Sequence, residues 1–162
     1  MSRCIEHRVF VPVSDAPAKI PEGIVIKYYS HGKTRELTED DLKRVLRKLH
    51  RGDWDNLYLA DDPDMEDSYM QLESGNGLYA LQYVKSVGVA GEETWWSTYD
   101  PEYLDSDEET DIDASDGQSV IFRETTTADK EAVMTAIEYF IRTGKLWDGI
   151  PWMKNWNEWV EE

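Results

Sequence analysis

The sequence predicts an α+β fold: a mainly antiparallel sheet of about five to six strands with two helices packed on one face. Three observations carry this. Two segments space their apolar residues at helical intervals between capping residues, and several β-branched and aromatic runs lie between them. The links between those runs are short, and Ser74-Gly75-Asn76-Gly77 contains the Asn-Gly pair of a tight hairpin. Short links join antiparallel neighbours, because a parallel pair needs a long crossover. An amphipathic helix must bury its apolar stripe, and the sheet is the surface available. The 162 residues are read as a single domain over 1–162. It has a partly irregular N-terminal arm over 1–22, an acidic loop over 100–117 and a tail over 153–162.

The elements follow in order. His7 to Val13 is extended and ends at Pro12, and Ser14 to Glu22, with Pro17 and Pro21, is a connection. Ile24 to Tyr29 is β-branched and aromatic, hence a strand. Thr38 opens a helix with Asp41 three residues on, a capping box; Leu42, Val45, Leu46 and Leu49 form its stripe and Gly52 stops it. Strands are predicted at Asn56–Leu59, Ser68–Leu72, Leu78–Val84, Thr94–Tyr99 and Ser119–Arg123. The acidic turn 61–67 separates the first two, and the acidic loop lies between the last two. The second helix starts at Thr126 or Thr127 as cap, with Asp129 and Glu131 in its first turn. Ala132, Val133, Ala136, Ile137, Phe140 and Ile141 are its stripe, and Gly144 is its left-handed stop. The end of the chain reads as a short strand near Ile150-Pro151-Trp152 and then a helical turn; four of the seven tryptophans fall between Trp147 and Glu162.

Charge excludes several functions. The net charge is −17, and it is lopsided: residues 1–51 carry +4 and residues 52–162 carry −21. Such a surface repels phosphate, so no direct nucleic-acid binding is expected, since that binding depends on cations neutralising phosphates. No run of about 18–20 apolar residues is present to span a bilayer, and Met1 to His7 contains no hydrophobic export-type run. A cytoplasmic protein without membrane association is expected. One cysteine, Cys4, excludes an internal disulfide framework.

Catalytic signatures are scarce. There is no phosphate-binding glycine loop and no dinucleotide fingerprint. His7, His31 and His50 lack the spacing of a metal pair. Asp111, Asp113, Ser115 and Gly117 suggest a calcium loop, but the glycine falls one position late and Phe122 stands where a bidentate acid is needed. No enzyme activity, metal or other cofactor is therefore expected.

The acidic segment is the feature that points to a function. Asp100 to Gly117 holds nine acids and no base. A block of this kind is ordinarily a solvated insert. Beside aromatic residues it can instead form a recognition surface, with charge steering the partner and rings anchoring it. The residues expected to bind a partner are Trp95, Trp96, Tyr99, Tyr103, Asp105, Asp107, Glu108, Glu109, Asp111 and Asp113. The complementary partner carries a cationic groove, as enzymes acting on nucleic acids do.

The stretch Ala132 to Gly144 followed by Ile150-Pro151-Trp152 resembles the closing helix and strand of the first-named immunity-protein family of bacterial polymorphic toxin systems. Asn56 to Val84 is similar to that family's strand–turn–strand. The chain departs from the pattern at Lys145 to Gly149, where family members often carry a proline, and in the extra residues Met153 to Glu162. The resemblance implies a small acidic α+β protein without catalytic residues. It further implies one that binds and occludes a cognate toxin of deaminase or other nucleic-acid-acting type. The expected partner is a protein toxin with a basic groove, bound by a monomer or small homo-oligomer. The alternative is an acidic adaptor or nucleic-acid mimic that regulates a host nucleic-acid-binding protein. A small carboxylate-and-metal hydrolase is the third possibility, one that a tight one-to-one metal isotherm would revive.

Overall fold

The computed structural model describes residues 2–14, 19–20, 28–30, 34–52, 56–60, 68–114 and 117–161. The fold is α+β. Its main sheet contains β1 (Ser2–Val11), β2 (Tyr28–Ser30), β3 (Thr34–Glu36), β4 (Asn56–Ala60), β5 (Ser68–Gly75), β6 (Leu78–Lys85), β7 (Thr94–Ser97) and β10 (Trp152–Glu161). Their order across the sheet is β1-β10-β7-β6-β5-β4-β2-β3, with every neighbouring pair antiparallel. Six of these strands have four or more residues, in line with the expected count; β2 and β3 add a three-residue hairpin at one edge. A separate two-stranded ribbon pairs β8 (Glu109–Asp113) with β9 (Val120–Phe122).

The helices form where their sequence signals lie. In α1 (Glu39–Arg51) the Thr38 hydroxyl accepts from the Asp41 amide, and the Asp41 carboxylate accepts from the Thr38 amide at 3.0 Å. Gly52 ends it at φ +74°, a conformation glycine adopts without steric cost. In α2 (Lys130–Thr143) the cap is Asp129, whose carboxylate accepts from the Ala132 amide at 3.1 Å. The expected Thr126 and Thr127 are not the cap: Thr126 is fully buried with its hydroxyl donating to the Arg123 carbonyl, and Thr127 pairs its backbone with Tyr79. Leu42, Val45 and Leu49 of α1 and the six stripe residues of α2 are all buried. All but Ala132 join one core with Leu57, Leu59, Met70, Leu72, Leu81, Tyr83 and Trp152. Those strand residues alternate along β4, β5 and β6 and share one face of the sheet.

The β5–β6 hairpin turns at Asn76 (φ +54°) and Gly77 (φ +79°), the two left-handed positions of a type I′ turn. Three expectations need correction. The N-terminal extended segment begins before His7: Ser2–Val11 is a ten-residue strand paired along its length with β10. The tail is not a helical turn: Trp152–Glu161 is a strand lying between β1 and β7. The last predicted strand leaves the main sheet, and β9 pairs with part of the acidic segment instead. The strand expected over Ile24–Tyr29 lies outside the described residues except for Tyr28 and Tyr29, as does the acidic turn 61–67. Among the described residues no helix is long and apolar enough to cross a membrane.

Candidate functional site

The sheet has a second face, opposite the core, and it is polar. Alternation places Gln71 and Glu73 of β5, Gln82 of β6, Ser97 and Trp95 of β7 and Asn155 of β10 on it. β1 adds Glu6 and Arg8, with Arg8 directly opposite Asn155. β9 and the 3-10 turn Arg123–Thr125 lie over this face and, together with it, line a cavity of about 310 Å³. Trp95, Met153, Val120 and Phe122 supply its apolar wall, while Glu6, Glu73 and Glu124 supply carboxylates.

Each attachment of the ribbon has a local cause. In β8, Ile112 is only 6% exposed and turns inward, while Glu109, Asp111 and Asp113 alternate outward into solvent. Ile112 reaches the end of β5 at Gly75, where a Cβ would stand 3.5 Å from the Ile112 side chain. The Thr110 hydroxyl donates to the Ile121 carbonyl at 2.7 Å, and the Arg123 amide to the Glu108 carbonyl at 2.9 Å. Arg8 reaches across from β1 to Asp105 at 2.8 Å and Glu124 at 3.2 Å. Glu124 also accepts from the Asp105 amide at 2.7 Å, which holds Asp105 in a left-handed conformation at φ +59°. Buried Thr98 completes the joint: its hydroxyl accepts from the Leu81 amide and donates to the Thr125 carbonyl.

The expected binding residues divide into three groups. Asp107, Glu108, Glu109, Asp111 and Asp113 are exposed, and none is ion-paired among the described residues. Asp105 is exposed but engaged by Arg8. The four aromatics do not form one surface. Trp95 and Trp96 are consecutive in a strand and point to opposite faces. Trp96 lies on the core side, 5.3 Å from the Tyr83 ring with the Lys154 ammonium over it, and Tyr83 in turn meets Phe140 edge-on at 5.6 Å. Tyr99 packs against Phe10 at 5.1 Å, and Tyr103 lies under the Arg123 guanidinium at 4.5 Å. Only Trp95 faces the cavity. The residues passed over in the sequence are Glu6, Arg8, Gln71, Glu73, Gln82, Glu124 and Asn155. For Gln71, Glu73 and Gln82 the signal was the alternation of polar with apolar residues through Met70-Gln71-Leu72-Glu73 and Leu81-Gln82-Tyr83.

The electrostatics of this face are negative. Tyr69, on the same face as Gln71 and Glu73, has its hydroxyl pKa raised first by burial, then by Tyr58, Glu93 and Glu73. On the helix side the Arg142 guanidinium is raised by its hydrogen bonds to Glu39, with burial opposing; the Glu39 contact is 2.9 Å. That pair joins the start of α1 to the end of α2. His7 stacks on Trp156 at 4.9 Å, 3.0 Å from the Glu158 carboxylate, and Cys4 is an exposed free thiol. Among the described residues no group of three histidine, cysteine or carboxylate side chains is placed to hold a metal ion.

No protein-family model matches the chain, and neither a curated protein nor a solved structure does.

Proposed function

We propose that the protein is a stoichiometric inhibitor, an immunity protein that binds a bacterial toxin and blocks the toxin's basic substrate groove. The observation that supports it is the outward row of β8 carboxylates on a ribbon anchored by Ile112 and by the Arg8 clamp. Fixed carboxylates spaced along a strand compete for the cations that hold a phosphate chain, without the ordering cost of a flexible tail. Their field steers encounter: association between complementary charges rises from about 10⁵–10⁶ to 10⁸–10⁹ M⁻¹s⁻¹ at low salt. The likeness of 132–152 to immunity proteins supplies the toxin class. The test is to express the chain with the product of its neighbouring gene and measure growth, then association rates at low and high salt. Changing Asp107, Glu108, Glu109, Asp111 and Asp113 to their amides is expected to slow association about tenfold or more and to flatten its salt dependence. An unchanged rate and salt slope would rule out the ribbon as the binding element.

A further inference from the structure

We propose that the protein forms a two-fold dimer in which β1 pairs antiparallel with the β1 of a second copy, joining two main sheets into one. This is independent of the inhibitor reading above. The two edges of the main sheet differ. β3 closes one edge with three residues, whereas β1 closes the other with ten. Among the described residues, no strand pairs with the outer side of β1. Sheet edges are ordinarily guarded by short length, lysine, proline or a bulge. β1 has none of these. Its register with β10 runs unbroken from Ser2 to Val11, it contains no lysine or proline, and Pro12 stands just beyond its end. It also carries two exposed apolar side chains, Val9 at 42% and Phe10 at 46%. The chain's excess of acids lies beyond residue 51, and β1 itself holds two arginines against one glutamate.

The occupant follows from the strand's own pattern. A two-fold axis perpendicular to a continuous sheet keeps each side chain on its own face, and directly opposed residues share a face. Residue numbers that oppose each other therefore differ by an even number, and one residue sits on the axis against its own copy. With His7 on the axis, Ile5 opposes Val9, Glu6 opposes Arg8 and Cys4 opposes Phe10, each pair made twice. Apolar residues then meet on the core side, and opposite charges meet on the polar face. Glu6 is exposed and has no ion-pair partner among the described residues. Asp105 and Glu124 hold the Arg8 guanidinium in place, and its side chain is still 36% exposed. The adjacent registers are worse. An axis at Glu6 sets that carboxylate against its own copy, and an axis at Arg8 does the same to the guanidinium. Axes farther out leave fewer residues paired. The strand is self-complementary in one register, which favours a second copy over an unrelated strand. Because the axis preserves faces, both acidic ribbons lie on the same side of the joined sheet.

The test is sedimentation equilibrium at about 0.15 M salt, where charges more than about 8 Å apart are largely screened. The paired residues make a ladder about 30 Å long. That is a small interface, so a dissociation constant on the order of 10 μM is expected. A single-chain mass at protein concentrations on the order of 1 mM overturns the proposal. Val9→Lys sets an ammonium against Ile5 twice and should weaken the dimer about thirtyfold or more. Glu6→Arg sets arginine against arginine twice and should weaken it about tenfold or more. A dimer that survives both substitutions overturns the proposal. Both side chains are exposed, so the thermal melts of the variants should match the native one. If either variant unfolds, the native mass and a cross-link still decide. Directly opposed Cα atoms stand about 4.5–5.5 Å apart, within reach of a disulfide. A Phe10→Cys chain that keeps Cys4 should therefore oxidise to a covalent dimer. The native chain and the C4S/F10C chain should not, since their cysteines would lie about 20 Å apart along the paired strands. Equal cross-linking of all three chains, or none in the F10C chain, overturns the proposal.

Discussion

Replacing Ile112 with alanine tests whether the acidic ribbon is ordered by one apolar anchor. Ile112 is the buried residue of β8, and the ladder around it is thin: the β8–β9 pairing is irregular between Glu109 and Asp113. Isoleucine to alanine removes three carbons. At about 0.8 kcal/mol per buried CH₂, less a share for incomplete burial in the open ribbon, the anchor loses about 2 kcal/mol. If the ribbon opens as its own unit, that loss falls wholly on the opening equilibrium. At 1.4 kcal/mol per tenfold, the Arg123 amide, bonded to the Glu108 carbonyl across the ribbon, should exchange about thirtyfold faster. Amides of Ile137 and Phe140 in α2 should keep their native exchange rates. Hydrogen exchange followed residue by residue reads both. Equal acceleration at Arg123 and Ile137 would show that the ribbon has no opening of its own. An unchanged Arg123 would show that Arg8 and Thr110 hold it without Ile112.

Two further expectations concern titration and capping. The Tyr69 hydroxyl should titrate above the usual value near 10. An unfolded chain then releases that proton first, so the associated stability is intact below about pH 10 and is lost as pH rises through the folded-state value. Glu93→Gln should lower the Tyr69 pKa without restoring the usual value, because burial is the larger cause; the ¹³C shift of the Tyr69 ring carbon bearing the hydroxyl reports it, and no movement would show that the Glu93 charge is not felt there. Asp129→Ala should cost about 1 kcal/mol, a fall of about 3 °C in melting temperature. Thr127→Ala should cost less, since the Thr127 hydroxyl serves the Asp129 amide and not the helix itself; the reverse ranking in thermal melts would return the cap to Thr127.

What could be read from the sequence was local. Thr38 with Asp41, Gly52, the α2 stripe, Gly144 and Asn76-Gly77 each act within a few residues of their own position, and each appears where its pattern stands. β10 could not be read that way. Trp152, Trp156 and Trp159 recur at helical spacing, and the ten partners that make the segment a strand lie in β1, about 150 positions away. In the acidic segment, the alternation Glu109-Thr110-Asp111-Ile112-Asp113 was present, but its charge density suggested a solvated loop; a single buried isoleucine outweighs that tendency. The candidate site was half legible. The exposed carboxylates follow from composition, whereas grouping Trp95 with Trp96 ignored the two-residue period of a strand. The cavity itself needs six strands brought together, β1, β5, β6, β7, β9 and β10, with the turn Arg123–Thr125, and no window of sequence contains them.

The pairing of β1 with β10 also constrains how the molecule is made. A ribosome delivers β1 first and β10 last, so the strand between β1 and β7 is missing while everything else is synthesised. Until it emerges, β1 has no neighbour to bond and β7 presents a bare edge to whatever else is nearby. Contacts this distant in the chain form slowly because the whole intervening loop must close first. The nascent chain is therefore most exposed to mispairing until β10 is in place, and shortening β10 by even a few residues should appear first as lost yield of soluble protein.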